Sequence, residues 1–241
     1  PKGKVFNQKI AKELSLEKKV NIICGHFEGI DQRVLENRKV VSYNLSESGA
    51  TSDNLIEQAQ KAQRYTPDYA TILIGANDVC GWPDQLTTHL RDFKKNISTS
   101  VEKLLAANNR VKILIVPLPN MLNIYQVGSQ SSCKWRWKLF GICPKLLSKK
   151  RTWADRENFQ KQVGDLNEVL FTLQRKYNHN IKIDARLQHA SFKRKHLSSF
   201  DCFHPSLKGQ QLISDLTWEH GWFKKKRMSL SRADYIKDFL L

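Results

Sequence analysis

Three short stretches of this chain hold side chains whose types and spacing suit acyl chemistry. The first is Asp201-Cys202-Phe203-His204-Pro205, which leads into a helical run through Leu212, Ile213 and Leu216. Proline is favoured near a helix start because its missing N–H would have no partner there, so His204 is expected on a loop just before a helix. An acid three residues earlier can then meet the imidazole Nδ1–H and fix its tautomer, leaving Nε2 to take a proton from a nucleophile. On its own the spacing also describes an ordinary loop acid followed by a histidine that caps a helix. The second stretch, Gly75-Ala76-Asn77-Asp78, follows the apolar run Ile72–Ile74. Glycine lets the chain turn tightly at a strand end, and Asn77 can present amide N–H donors to a developing oxyanion. All these residue types also form plain turns. The third is Ser46 to Asp53, where Gly49 allows a backbone N–H to approach a ligand and Thr51 or Ser52 can cap a following helix.

These stretches need elements to carry them. Val20–Cys24, Val40–Leu45, Ala70–Ile74, Val111–Val116 and Ile181–Ile183 read as short strands buried on both faces. Between them, Leu90, Phe93, Ile97, Val101, Leu104 and Leu105 recur at helical spacing, as do Phe159, Val163, Leu166, Leu170 and Leu173. Alternating strands and helices predict a parallel sheet covered by helices on both faces, whose sites form beyond the carboxyl ends of the strands. All three stretches fall there. Residues from about 120 to 151 show no clear period and are expected to be an irregular, substrate-facing insertion or lid. The basic end from about 222 to 241 reads as a peripheral appendage, and residues 1–241 as one domain.

The order of the three stretches resembles blocks II, III and V of the SGNH (GDSL) hydrolases. Asn77-Asp78-Val79-Cys80-Gly81 and Asp201-Cys202-Phe203-His204 are especially similar to the phospholipase B-like branch. The resemblance covers roughly residues 40–220. It implies a three-layer α/β/α flavodoxin-like fold with a central parallel sheet. It also implies a serine-type ester hydrolase: an esterase or lipase, with phospholipase or lipid acyltransferase as narrower forms. In that family pattern His204 is the general base, Asp201 its orienting partner, and Gly49 N–H and the Asn77 side chain the oxyanion-hole donors. Neither metal nor organic cofactor is required. The family's first block, Gly-Asp-Ser after the first strand, is absent. In one account the chain starts beyond that block, residues 4–14 form the helix that follows it, and the nucleophile lies upstream. In the other, Val20–Cys24 is the first strand and Gly25-His26-Phe27-Glu28-Gly29 stands in the block's place, which leaves either a catalytically inactive module that binds an anionic polymer or membrane, or an enzyme that uses another residue as nucleophile. Ser46 and Ser48 have no nucleophilic role in the pattern, so no nucleophile is named.

The bulk numbers bound the partners. Forty Lys and Arg against 23 Asp and Glu give a net charge of +17, a field that gathers anions without selecting one. The segment Cys133–Lys138, with Trp135 and Trp137 among basic residues, suits an anionic membrane surface as well as a solvated loop. No helix-turn-helix, zinc-finger or RRM signature accompanies the charge, so specific nucleic-acid binding is not expected. No run of about 18 apolar residues suggests a membrane span. Five cysteines leave pairing open: Cys133 with Cys143 is one option, Cys80 with Cys202 another. A secreted or periplasmic location is expected over a cytoplasmic one. The histidines show no metal-ligand spacing.

Overall fold

The computed structural model describes residues 20–23, 40–81, 88–129, 133–218 and 221–222, with backbone alone at 20–23, 40 and 218. Five short strands are all parallel to their partners. β1 (Val20–Ile23) pairs with β2 (Val40–Tyr43), while β3 (Tyr69–Ile72), β4 (Lys112–Ile115) and β5 (Ile181–Lys182) form a ladder in that order. β1 also lies beside β3, which gives the order 2-1-3-4-5 across the molecule, that of flavodoxin-like sheets. The reason is legible in β4, where Ile113, Leu114 and Ile115 are all buried. Parallel strands covered on both faces need such continuous apolar runs.

Eight helices are described: α1 (Ser52–Gln63), α2 (Ala76–Cys80), α3 (Leu90–Ala107), α4 (Met121–Gly128), α5 (Cys133–Phe140), α6 (Pro144–Leu147), α7 (Trp153–Lys176) and α8 (Leu207–Trp218). α3 turns Phe93, Ile97, Val101 and Leu104 inward, and α7 does the same with Phe159, Val163, Leu166, Leu170 and Leu173. Each such side chain contributes about 1.5–3 kcal/mol by leaving water. α1 packs on α3, and α3 meets α7. α7 starts cleanly because Thr152 and Asp155 form a reciprocal capping box. Trp222 opens the C-terminal appendage and docks on the sheet: its indole N–H donates to the Ile113 carbonyl, with Lys112 and Lys182 over the ring. The expected helix over 4–14, the Gly25–Gly29 segment and the basic run Lys224–Arg227 lie outside the described residues.

Two expectations are corrected. The segment from 120 to 151 is not irregular, since α4, α5 and α6 occupy most of it. The cysteine pairing is Cys80–Cys143 and Cys133–Cys202, with Cα atoms 4.4 and 5.7 Å apart. Cys133 opens α5 and Cys143 lies beyond its end. Eight helical residues span about 12 Å, too far for one disulfide. Each cysteine of the insertion instead reaches a different site loop.

Candidate active site

Because every strand is parallel, the carboxyl ends of β2, β3 and β4 all deliver their loops to one edge of the sheet. The loop before α8 meets them there. Asp201 is buried at the centre of its turn. Its Oδ1 accepts the backbone N–H groups of Phe203 and His204, each at 3.0 Å, and its Oδ2 lies 2.5 Å from His204 Nδ1. The turn is braced from outside. Ser198 N–H donates to the His204 carbonyl at 2.7 Å, Cys202 N–H to Ser198 at 3.0 Å, and the Trp137 indole N–H to the Asp201 carbonyl at 3.0 Å. Burial pushes the Asp201 carboxyl up, but the hydrogen bonds from the His204 ring and the two N–H groups outweigh it and hold the group below the usual aspartate value. The His204 side chain is 54% exposed and lines a cavity. With Nδ1 committed to the carboxylate, Nε2 is the atom that can exchange a proton with a reacting group.

The Gly75 and Gly49 turns form the opposite wall. Gly75 has φ 111° and so takes the chain from β3 into α2 through a conformation that side chains disfavour. Asn77, in the first turn of α2, lines the same cavity as His204 and donates one amide N–H to the Ala50 carbonyl at 2.9 Å. Asp78 is 1% exposed. Its carboxylate accepts Ser52 N–H at 3.0 Å and Ser52 Oγ–H at 2.6 Å, at the positive end of α1. Asn96 of α3 donates to Ser52 Oγ at 3.1 Å and to Asp53 at 2.5 Å. This buried network fastens one turn to the other, and Thr51 rather than Ser52 is the N-cap. Gly49 has φ 77° and sits in the turn beside the cavity. Ala50 and Glu47 line the wall, and Gly49 does not.

The cavity holds about 280 Å³. Leu118, Met121, Ile124, Leu187, Phe192 and Ile213 make most of it apolar, while Ser46, Glu47, Gln58 and Gln210 add polar groups. Gln58 was not singled out from the sequence. It shares the inward stripe of α1 with Leu55, Ala59 and Ala62, and a polar residue on that stripe was the available signal. Its Nε2 is buried without a hydrogen-bond partner among the described residues. An orphaned buried donor costs roughly 1–3 kcal/mol, so Gln58→Leu is expected to raise the thermal midpoint. A calorimetric scan showing a lower midpoint would mean that the amide is satisfied. Among the described residues, no group of three or more His, Cys, Asp or Glu is placed to hold a metal ion. No described helix is long and apolar enough to cross a membrane.

A family model described as GDSL-like lipase/acylhydrolase matches residues 26–212. The chain belongs to that family. Solved structures agree on the fold of this GDSL-like chain. A family 3 carbohydrate esterase of Clostridium thermocellum aligns with a TM-score of 0.53 and 16% identity, covering 85% of this chain and 95% of its own. A lipase from a goat rumen metagenome aligns at 0.50 and 15% identity, covering 86% and 98%. The N-terminal segment has a second likeness. A model described as tRNA (Guanine-1)-methyltransferase TrmD matches residues 1–47. The tRNA (guanine-N(1)-)-methyltransferase of Pelagibacter ubique is 49% identical over 47 residues, which is 20% of this chain and 21% of the relative. That of Clostridium novyi is 68% identical over 34 residues, 14% of each. The GDSL-like chain thus spans only about a quarter or less of the curated relatives it matches. Both matches include residues 26–47, and the methyltransferase match takes in β1 and the Cys24–Gly29 stretch after it.

Proposed function

We propose that this GDSL-like chain hydrolyses carboxylic esters whose acyl portion is apolar, through an acyl-enzyme. The observation that carries the reading is the 2.5 Å contact between Asp201 and His204 Nδ1 at a largely apolar cavity that Asn77 also lines. His204 Nε2 takes the proton as a hydroxyl oxygen bonds to the ester carbonyl carbon. The second N–H of the Asn77 amide, on the cavity wall, receives the oxyanion that develops, and the family pattern adds the Gly49 N–H from the turn beside that wall. As the tetrahedral species collapses, the C–O bond to the alcohol breaks and His204 returns the proton to that alcohol. Water, deprotonated by the same imidazole, then releases the acid. A lipid alcohol in place of water would make the same site a lipid acyltransferase, and a glycerophospholipid substrate would make it a phospholipase. Two disulfides suit an oxidising compartment, in keeping with a secreted or periplasmic protein.

A second reading has its own support. β1 occupies the place of a first strand beside β2 and β3, yet the residues after it are Cys24-Gly25-His26, not Gly-Asp-Ser, and they fall within the methyltransferase-like segment. A chain without the nucleophile would keep the cavity as a binding site only. A fluorophosphonate probe separates the two. Covalent labelling of the purified chain, lost in His204→Ala and mapped by peptide mass to one hydroxyl, is expected for the enzyme. A folded chain that takes no label is the binding module.

A further inference from the structure

We infer that α5 and the adjoining residues 199–200 form a docking surface for an anionic phospholipid bilayer, set beside the His204 cavity. α5 is apolar on two sides. Cys133 and Trp137 face inward, the first bonded to Cys202 and the second donating to the Asp201 carbonyl. On the outside, Trp135 is 52%, Leu139 65% and Phe200 68% exposed, and Phe140 stacks on Phe200 with ring centroids 5.2 Å apart. Single exposed apolar residues are ordinary, but a contiguous cluster marks a contact surface. The cluster is also held in shape. Arg136 donates to the carbonyls of Ser199 and Phe200, at 2.5 and 3.1 Å, and lies over the Trp135 ring.

Charge identifies the occupant. Residues 133–151 contain seven Lys and Arg and no Asp or Glu, and residues 193–200 add Lys193, Arg194 and Lys195, again with no acid. Lys134, Lys138, Lys149, Lys150, Arg151 and Lys193 are exposed. Apolar side chains ringed by cations match the boundary between anionic headgroups and acyl chains, where Trp is also favoured. A nucleic-acid backbone would satisfy the cations but offer no apolar surface to the exposed faces of Leu139, Phe140 and Phe200. The loop that carries Phe200 continues into Phe203, His204 and Pro205, which line the cavity. A bilayer seated on α5 therefore meets the same loop that presents the imidazole. The purpose of this surface, delivery of lipid esters, rests on the ester-hydrolase reading, whereas the binding itself does not.

Co-sedimentation of the full chain with vesicles of phosphatidylcholine, alone or with equimolar phosphatidylglycerol, tests the surface. Binding to the anionic vesicles is expected to be at least about tenfold tighter and to weaken with salt. Lys134→Gln with Lys138→Gln should weaken it on the order of twentyfold, near fivefold per lysine, and flatten the salt dependence. Trp135→Ser with Leu139→Ser should weaken it at every salt concentration. Circular dichroism checks that both variants fold, and turnover of water-soluble p-nitrophenyl acetate should match the parent in each. Equal binding to both vesicle types, no binding to either, or variants that bind like the parent would overturn the proposal. So would capture of duplex DNA in place of vesicles. If the parent turns over no p-nitrophenyl ester, the hydrolase reading fails, and the vesicle result still decides the surface.

Discussion

His204→Ala is expected to lower kcat for a short-chain p-nitrophenyl ester by about 10³-fold or more while leaving the thermal midpoint nearly unchanged. The two halves of that result have separate causes. His204 is more than half exposed, and among the described residues its ring hydrogen-bonds to Asp201 alone, so it adds little to folding. Its imidazole, held by Asp201 with Nε2 uncommitted, is nonetheless placed on the cavity wall to act as a base, and a positioned base contributes about 10²–10⁴-fold. Asp201→Asn should show a different pattern. The amide cannot hold the same histidine tautomer, which typically costs about 10⁴-fold where such a pair works. It also weakens the acceptor for two backbone N–H groups, so stability falls as well. The pH dependence follows from the lowered Asp201 value. The stability this carboxylate contributes is present above the ordinary aspartate pKa and is lost as pH falls through its lower folded value. The gap in unfolding free energy between parent and Asp201→Asn should therefore close in acid. Steady-state kinetics with denaturant titrations at neutral and acid pH check both halves. Parent-like kcat in His204→Ala would remove the imidazole from the chemistry.

What the sequence disclosed depended on how far each signal reached along the chain. Runs such as Val111–Val116 disclosed the strands because a parallel sheet buries both faces, and the stripes on α3 and α7 disclosed helices long enough to repeat. α4, α5 and α6 have eight, eight and four residues. Little more than two turns at most give too few repeats for a period to stand out, so that segment reads as irregular. The disulfides join residues 63 and 69 positions apart, and four cysteines allow three pairings that spacing cannot rank. Asp201 and His204 were legible because three residues of loop contain the whole geometry. Gln58 was hidden because it sits on the inward stripe of α1, where periodicity marks burial alone, and the cavity it lines is completed by residues as far along the chain as Ile213. The apolar run Val20–Cys24 reads as a buried strand in any parallel sheet, so periodicity alone could not reveal that residues 1–47 match a methyltransferase family.

The Cys133–Cys202 bond carries the second large expectation, because it joins the proposed membrane surface to the proposed catalytic turn. Cys202 has φ 59° and lies between Asp201 and His204, so the covalent tie is made inside the turn that aligns carboxylate and imidazole. Closing a loop across a separation of 69 residues removes chain entropy from the unfolded state corresponding to about 4 kcal/mol. Cys133→Ala with Cys202→Ala should lose stability on that scale and should also lower kcat, since Trp137 and α5 are then held to the turn without a covalent tie, by hydrogen bonds and the Phe140–Phe200 stack. Cys80→Ala with Cys143→Ala removes a bond that closes a loop of similar length, 63 residues, and should cost a similar amount of stability. Its effect on kcat should be smaller, because that bond ends at α2 and α6 rather than between the paired residues. Denaturant midpoints and kcat for the two double variants separate entropy from alignment. Equal falls in kcat at equal losses of stability would show that the 133–202 bond does no more than hold the fold together.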